Sequence, residues 1–201
     1  LGERYEKLRA AGADFHLGPN YLARLNQFAL LYRSPGLPLF DPRLQEAQAQ
    51  GATITSAMRL FVALCPCPII GVTGTKGKGT TATLIQRILE ISQRKKGAKV
   101  FLGGNIGVAP FAFYPQLTPE DRVILELSSF QLEDMDQGMA IAVITNITED
   151  HLAAADPLNP NFHKTRGDYV RAKTNIFRYQ PPTATTILNA TDPTCQQIGR
   201  A

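Results

Sequence analysis

The chain has 201 residues, of which 44% are hydrophobic, and a net charge of +4. This length and apolar content can bury a sizeable core, which excludes extensive disorder, and no run approaches the roughly 18 apolar residues of a membrane span. Basic residues are scattered and aromatic residues do not alternate with them, which argues against a nucleic-acid-binding surface. The three cysteines are odd in number and lack zinc-site spacing, so we expect a reduced cytoplasmic protein.

The first 66 residues have the pattern of the end of a small α/β domain. Phe28 to Tyr32 form a short apolar run, Ser34-Pro35-Gly36 predicts a turn, and Asp41-Pro42 has the capping and first residues of a helix that closes at Gly51. Two prolines then precede a new buried-strand pattern. We therefore expect a domain boundary between residues 66 and 67.

The rest of the chain predicts an α/β domain with a mostly parallel sheet. A buried strand at Ile69–Val72 is followed by apolar residues at helical spacing, which predict a helix from Thr80 to Lys96. Further strands are expected at Lys99–Leu102, Val123–Leu127, Ala140–Thr145 and Thr185–Leu188. Strands that alternate with helices or long crossovers favour a parallel sheet covered on both faces, with the chemistry at the carboxyl ends of the strands.

A glycine-rich segment between the first strand and helix of this domain predicts a phosphate-binding loop. Its residues are Gly74, Thr75, Lys76, Gly77, Lys78, Gly79, Thr80 and Thr81. Backbone N–H groups and the positive helix end would face a phosphate, and Lys78 would reach its outer oxygens. The match to G-x-x-x-x-G-K-[ST] is imperfect, because Val72 replaces the first glycine and Gly79 the magnesium-binding hydroxyl. Thr80 is the natural substitute, and the alternative is a glycine-rich turn with a solvated lysine.

Glu126 closes an apolar strand pattern, where an unpaired buried carboxylate would be costly. A hard cation such as Mg²⁺, bridging this carboxylate and nucleotide phosphates, would supply its partner. The alternative is a solvated glutamate at the end of the strand. The next strand ends in Thr145 to His151, a polar segment that we expect beside the same sheet edge.

Two further polar residues have weaker local signals. Asn105 lies in Gly103-Gly104-Asn105-Ile106-Gly107, where glycines let the backbone approach a ligand, although a turn explains them nearly as well. Lys173 falls in a predicted helix around Tyr169 to Phe177, where an exposed lysine is the default expectation. Nothing in the local spacing of Lys173 makes it catalytic.

Together these segments resemble the Mur ligase family. The nucleotide loop Thr73 to Lys78, Gly104 to Gly107, Glu126, Asn146 to His151 and Lys173 follow one another in family order. Within the family, the segment from Leu125 to Glu133 is similar to the members that add D-glutamate to UDP-N-acetylmuramoyl-L-alanine, and Gly103 to Gly107 and Ser34 to Gly36 are similar to them too.

What the resemblance implies is a two-step amide synthesis for peptidoglycan, with ATP and Mg²⁺ as cofactors. ATP would phosphorylate the alanyl carboxylate, and the amine of D-glutamate would attack the acyl phosphate. The complete protein would be a cytoplasmic monomer with these small-molecule substrates, without nucleic acid or membrane span.

The resemblance also implies residue roles. Lys78 and the loop would stabilise the transferring phosphoryl group, while Glu126, His151 and Thr80 would organise Mg²⁺. Lys173 aligns with a family lysine whose carbamate faces the metal. The substrate would contact Ser34, Pro35, Gly36, Asn105, Ser129 and Gln131.

The resemblance further implies that the chain is a fragment. Residues 1–66 would be part of a Rossmann-like domain for the UDP-substrate, and residues 67–201 part of a P-loop-type central ATP-binding domain. A C-terminal amino-acid-binding domain would be absent. This sequence departs from the family at Gly79 and in the extended loop around Asp156 to Pro160, between His151 and Lys173.

Two alternatives stay open at this stage. Gly79 after Lys78 is reminiscent of the related folylpolyglutamate-type ligases, although the segment after the second acidic strand differs from theirs. The other alternative is a short nucleotide-binding remnant without catalysis.

Overall fold

The computed structural model describes residues 2–93, 97–150, 152 and 161–200. Packing divides the chain into two compact units. One unit comprises the described residues up to Leu31 together with Phe40–Ile54, and the other comprises Tyr32–Leu39 and the described residues from Thr55 onward. The division into domains at residues 66 and 67 stays a prediction.

The described helices, in chain order, are α1 (Gly2–Ala10), α2 (Pro42–Ala49), α3 (Ala57–Leu64), α4 (Lys78–Gln93), α5 (Pro110–Phe113), α6 (Ser129–Leu132), α7 (Arg166–Arg178) and α8 (Pro193–Ile198). The strands are β1 (Leu30–Arg33), β2 (Thr53–Ser56), β3 (Ile69–Thr73), β4 (Val100–Gly104), β5 (Arg122–Glu126), β6 (Ile141–Ile144) and β7 (Thr185–Leu188). Two short 3₁₀ helices lie at Leu25–Gln27 and Tyr114–Gln116. None of the described helices is long and apolar enough to cross a lipid bilayer.

The smaller unit contains the predicted helix after the turn. Asp41 caps α2 by accepting a hydrogen bond from the Arg43 N–H, and Pro42 occupies the first helical position. Leu44 and Ala47 form the buried face of α2. This agrees with the helix expected between Asp41 and Gly51.

The larger unit is built on a five-stranded sheet in the order β4-β5-β3-β6-β7. Every pairing in this sheet is parallel, as the sequence predicts. Strand β3 lies in the middle, with Gly71 beside Leu125 of β5 and Ala142 of β6. The carboxyl ends of β3, β4, β5 and β6 therefore meet at one edge of the sheet.

Both faces of the sheet are covered by packed side chains. On one face, Ile70 and Val72 of β3 pack with Ala82 of α4 in a buried cluster. On the other face, the cluster includes Leu125 of β5 and Ile176 of α7. A Cβ at Gly71 would lie 2.9 Å from Ile176 Cδ1, so a side chain there would push α7 away from β3.

The predicted elements of this unit exist, with small shifts at their ends. Helix α4 begins at Lys78, two residues before the expected Thr80, and residues 94–96 at its predicted end lie outside the described residues. Strand β5 ends at Glu126 and strand β7 has the predicted bounds. The α/β class with a parallel sheet is confirmed.

Candidate functional site

Of the predicted phosphate-loop residues, Gly74 to Gly77 connect the central strand β3 to helix α4, and Lys78 to Thr81 form the first turn of α4. Gly74 has a φ of +146°, and a Cβ on it would lie 2.0 Å from Thr145 Oγ1 at the end of β6. Only glycine fits this position, because both the backbone conformation and the close approach exclude a side chain.

Strand β6 holds the loop through the residues that follow it. The Thr75 N–H donates to Asn146 O across 2.8 Å, and the Lys76 N–H donates to Asn146 Oδ1 across 2.9 Å. In return, Thr145 Oγ1 and Asn146 Nδ2 donate to Lys76 O, across 2.7 and 2.9 Å. The first half of the loop is therefore fixed by protein contacts.

A second set of contacts ties the loop to α7. The Thr75 hydroxyl donates to Thr148 O across 3.1 Å, and its oxygen lies 2.9 Å from the Tyr169 hydroxyl. Burial raises the pKa of Tyr169 to about 12, so this phenol keeps its proton at neutral pH and can donate it to Thr75.

Two lysine side chains contact carbonyl groups of the loop. Lys78 Nζ donates to Thr75 O across 3.0 Å. Lys173 Nζ, from the middle of α7, donates to Gly74 O across 2.8 Å and lies 3.5 Å from Thr73 Oγ1. Local spacing alone favours an exposed lysine at this position, but Lys173 is only 2% exposed.

The surroundings of Lys173 disfavour its charged form. Its Nζ lies over the Tyr169 ring, 4.7 Å from the centroid. Burial, followed by repulsion from Lys78, lowers the pKa of Lys173 to about 7, although Asp150 and Glu126 act in the opposite direction. A substantial share of Lys173 therefore carries a neutral, nucleophilic amine at neutral pH.

Glu126 ends β5 beside the phosphate loop and is 3% exposed. Asn105 approaches it from the end of β4, with its N–H donating to Glu126 O at 2.8 Å and its Nδ2 lying 3.4 Å from Glu126 Oε1. Glu126 Oε2 is buried without a hydrogen-bond partner among the described residues. Gly79 of α4 faces this oxygen, because a Cβ there would lie 3.7 Å from it.

A cavity of about 280 Å³ extends from Lys78, Asn105 and Lys173 to the turn after β1. Its wall contains the predicted site residues Pro35, Gly36, Lys78, Asn105, Ser129 and Lys173, together with Ser128, Phe130 and Tyr169. All of them belong to the larger unit. The buried Ser129 hydroxyl has no hydrogen-bond partner among the described residues, so it is available to a ligand.

Arg33, which no local sequence pattern marks, connects the turn after β1 to Phe130 in the wall of this cavity. Its side chain is fully buried and donates to Leu37 O across 2.7 Å and to Phe130 O across 3.0 Å. Its guanidinium also lies 3.3 Å from Glu133 and 3.6 Å from Asp134. Arg33 thus fixes the turn that carries Pro35 and Gly36 relative to α6.

The remaining described residues of the predicted site do not line this cavity. Ser34 is exposed, and its Oγ lies 3.4 Å from the Gly36 N–H. Gln131 closes a capping box at the start of α6 by accepting from the Ser128 N–H across 2.9 Å, so its amide oxygen has a structural partner. Thr80 and Thr81 lie in the first turn of α4, with Thr80 exposed.

His151 and the segment from Asp156 to Pro160 lie outside the described residues. Among the described residues, no three His, Cys, Asp or Glu side chains converge in a preformed metal site. The predicted roles of Thr80, Glu126 and His151 toward Mg²⁺ stay predictions.

Tyr169 is the missed residue that a sequence signal could have found. It precedes Lys173 by four positions on α7, and residues at that spacing share one face of a helix. Arg33 and Asn161, whose Nδ2 donates to Pro35 O across 2.7 Å, have no such signal. Their contacts join segments distant in the sequence.

Residues 72–201 match the family model of the Mur ligase middle domain. A protein from Clostridium kluyveri named UDP-N-acetylmuramoylalanine--D-glutamate ligase is 40% identical over 189 residues, which cover 94% of this chain and 39% of that protein. Its namesake from Ruminiclostridium cellulolyticum is 41% identical over 189 residues, which cover 94% of this chain and 38% of that protein. The chain therefore spans about two fifths of the length of these relatives.

A solved structure is similar in fold. It is the UDP-N-acetylmuramate:L-alanyl-gamma-D-glutamyl-meso-diaminopimelate ligase from Neisseria meningitides, with a TM-score of 0.55 and 19% sequence identity. The match covers 98% of this chain and 63% of that one. At this identity the likeness supports the fold alone.

Proposed function

Because the chain belongs to the Mur ligase family, we propose that it is part of an ATP-dependent ligase that adds D-glutamate to UDP-N-acetylmuramoyl-L-alanine. The names of the relatives at 40% and 41% identity support this substrate pair. Residues 1–66 are then part of the UDP-substrate-binding domain and residues 67–201 part of the central ATP-binding domain. The complete enzyme is a cytoplasmic monomer.

The cavity beside the phosphate loop is the observation that carries the proposal. Lys78 lies on one wall, and Pro35, Gly36 and Ser129 lie on other walls of the same space. A nucleotide phosphate at the loop and an acceptor substrate along the turn would meet in this cavity. Phosphoryl transfer requires such positioning above all, since the reacting oxygen and the phosphorus must lie in line.

In the first step, an oxygen of the alanyl carboxylate attacks the γ-phosphorus of ATP, and the bond to the bridging oxygen of ADP breaks. Lys78 exchanges its present acceptor, Thr75 O, for phosphate oxygens and offsets their negative charge. In the second step, the amine of D-glutamate attacks the acyl carbon, phosphate leaves, and the amine gives up a proton as the amide forms.

Lys173 contributes as a carbamate in this proposal. Its amine, largely buried and with a pKa near 7, attacks CO₂ to form the N-carboxylate and releases one proton. The product is an anion near Lys78, so the repulsion that lowers the pKa of the free amine becomes an attraction. The Gly74 carbonyl can keep a hydrogen bond from the carbamate N–H.

The residues present fit a magnesium ion. Glu126 has a buried oxygen without a partner among the described residues, and carboxylate oxygen is a preferred ligand of this hard cation. Glu126, the Lys173 carbamate, Thr80 and His151 would hold it. Bound there, Mg²⁺ would offset charge on the nucleotide phosphates.

A substrate panel on the full-length protein tests the proposal. We expect sustained ADP release over many turnovers only when UDP-N-acetylmuramoyl-L-alanine and D-glutamate are both present, with the amide product identified by mass. Release of ADP with a reduced folate and L-glutamate would instead establish the folate-type activity. ATP binding without turnover on either pair would establish a non-catalytic nucleotide-binding protein.

Replacement of Lys78 tests the phosphate loop. We expect Lys78→Ala to weaken ATP binding by about 2 to 5 kcal/mol, measured by calorimetric titration, because one partner of a desolvated charge pair is lost. Lys99→Ala is a matched control, since Lys99 is an exposed lysine outside the cavity. Unchanged ATP affinity in Lys78→Ala would remove Lys78 from the site.

Replacement of Lys173 tests the carbamate. We expect Lys173→Ala to abolish phosphoryl transfer in the full-length protein and to recover part of it when a short carboxylate such as acetate is added. Recovery with acetate but not with an uncharged amide of the same size would identify the negative charge as the missing element. Full activity without any addition would exclude the role.

A further inference from the structure

The bend between α3 and β3 brings two thiols together. Helix α3 ends at Leu64 and Cys65 caps it by donating its N–H to Phe61 O, after which the chain bends at Pro66 and Cys67. Cys65 Sγ lies 3.7 Å from Cys67 Sγ and 3.4 Å from Cys67 O. The two sulfur atoms are therefore in direct contact, although the chain leaves both cysteines as free thiols.

We propose that Cys65 and Cys67 form a reversible disulfide under oxidation by a peroxide, a modification site separate from the ligase chemistry. The bond requires the sulfur atoms to approach from 3.7 Å to about 2.05 Å. The two cysteines are only two positions apart, so the chain itself keeps the thiols close to each other.

The two cysteines differ in exposure, and this difference determines which thiol reacts with peroxide first. Cys65 is partly exposed, whereas Cys67 is 7% exposed and packs in the main core of the larger unit. Burial raises the pKa of the Cys67 thiol to about 12, so Cys67 stays protonated. A peroxide in solution therefore meets Cys65 first.

The chemistry balances with one peroxide per disulfide. The Cys65 thiolate attacks one oxygen of hydrogen peroxide, the O–O bond breaks, and a sulfenic acid and hydroxide form; with the thiol proton, the hydroxide becomes water. The Cys67 sulfur then attacks the Cys65 sulfur, and the hydroxyl of the sulfenic acid leaves with the Cys67 proton as a second water. Two thiols are oxidised and one peroxide is reduced.

Cys195 provides an internal comparison. It is also buried, at 1% exposed, and burial raises the pKa of its thiol to about 11. It lies on α8, far along the sequence from the bend. If burial alone determined the reactivity of a thiol toward peroxide, Cys67 and Cys195 would react to the same extent. A disulfide within the bend instead predicts that Cys65 and Cys67 lose their free thiols together, while Cys195 keeps its own.

The test is peroxide treatment of the full-length protein, followed by denaturation, alkylation with iodoacetamide and tryptic digestion. The expected peptide between Arg59 and Lys76 contains both cysteines, lacks alkylation and is lighter than its reduced form by two hydrogens. Dithiothreitol should restore two alkylation sites, while Cys195 is alkylated with and without peroxide. Two alkylated cysteines after peroxide, a stable adduct on Cys65 alone, or a bond to Cys195 would each overturn the proposal.

Serine substitutions test the role of each cysteine in the disulfide. In Cys67→Ser, peroxide should leave Cys65 as a sulfinic acid or an alkylated thiol and produce no disulfide within the bend. In Cys65→Ser, which changes the more exposed position, Cys67 should remain alkylatable. Cys195→Ser should form the disulfide to the same extent as the unaltered protein, and a loss of the disulfide in this variant would contradict the assignment.

Discussion

Lys173 Nζ donates a hydrogen bond to Gly74 O across 2.8 Å, although the two residues are 99 positions apart in the chain. This contact places an amine from α7 against the backbone of the phosphate loop, inside a space that disfavours its charge. The stability of the free protein should therefore depend on pH in a way that identifies Lys173.

The pH dependence has a defined sign. The pKa of Lys173 falls from 10.5 to about 7 on folding, so between these values the unfolded chain holds a proton that the folded chain has released. The free energy of unfolding should rise with pH across this window, by at most about 1.4 kcal/mol per pH unit from this group. Urea denaturation at several pH values between 7 and 10, without nucleotide, metal or CO₂, measures the slope.

Lys173→Met is the control for this dependence, because it keeps the length of the side chain and removes the titrating amine. All other titrating groups are shared, so the difference between the two slopes reports Lys173. Equal slopes in the two proteins would mean that folding does not shift the pKa of Lys173.

Gly74 and Gly77 lie in the same loop, both with positive φ, but only Gly74 has a neighbour in the way of a Cβ. Gly77→Ala should cost about 1 to 2 kcal/mol through backbone conformation alone. Gly74→Ala adds a clash with Thr145 Oγ1 and should cost about 2 to 5 kcal/mol, measured as the free energy of unfolding in urea. Similar losses in the two variants would contradict the close approach of β6 to the loop.

Gly79 is the position where the common phosphate-loop pattern has a hydroxyl residue. A Cβ there would meet Ile106 Cδ1 at 3.4 Å and Glu126 Oε2 at 3.7 Å, which are ordinary contacts. Gly79→Ser should therefore keep or slightly raise stability, since serine is a better helix former than glycine by a few tenths of a kcal/mol.

The same substitution should strengthen magnesium-dependent ATP binding, because a hydroxyl oxygen is added next to Glu126. Titration of MgATP into the two proteins measures the change, with Gly79→Ala as the control that adds a Cβ but no oxygen. A stronger affinity in the alanine variant as well would trace the gain to the helix and not to the metal.

Arg33 should be important for the stability of the larger unit. Arg33→Met removes the buried guanidinium beside Glu133 and Asp134 and should cost about 3 to 5 kcal/mol in the free energy of unfolding. Arg43→Met removes an exposed arginine paired with Asp41 and should cost much less. Comparable losses of unfolding free energy in the two variants would show that the buried ion pairs of Arg33 contribute no more to stability than the exposed pair of Arg43.

The sequence was informative where a signal is local. A buried-strand pattern, a glycine-rich segment and a following helix pattern predicted a phosphate loop at Gly74 to Thr81. In the structure these residues follow β3 and continue into the first turn of α4. Parallel pairing was predictable because strands alternate with helices. The ends of these elements differ from the predicted ones by one to three residues, because an apolar pattern does not fix the terminal residue of a helix or strand.

Other parts of the site depend on distant contacts. Local spacing could not predict the burial of Lys173, because its contacts come from β3 and the phosphate loop, about 100 residues earlier in the chain. For the same reason, no local pattern shows that Arg33 reaches Phe130, which lies 97 positions away.

The central position of β3 also bears on how the protein is made. Its partners β5 and β6 follow it in the chain, and the loop is held by Asn146, 70 residues after Lys76. On the ribosome, β3 therefore emerges before any strand that pairs with it, with its apolar side chains unprotected. Translation through β6 is needed before the loop can be fixed, so a pause before Asn146 should prolong exposure of β3 to chaperones and proteases.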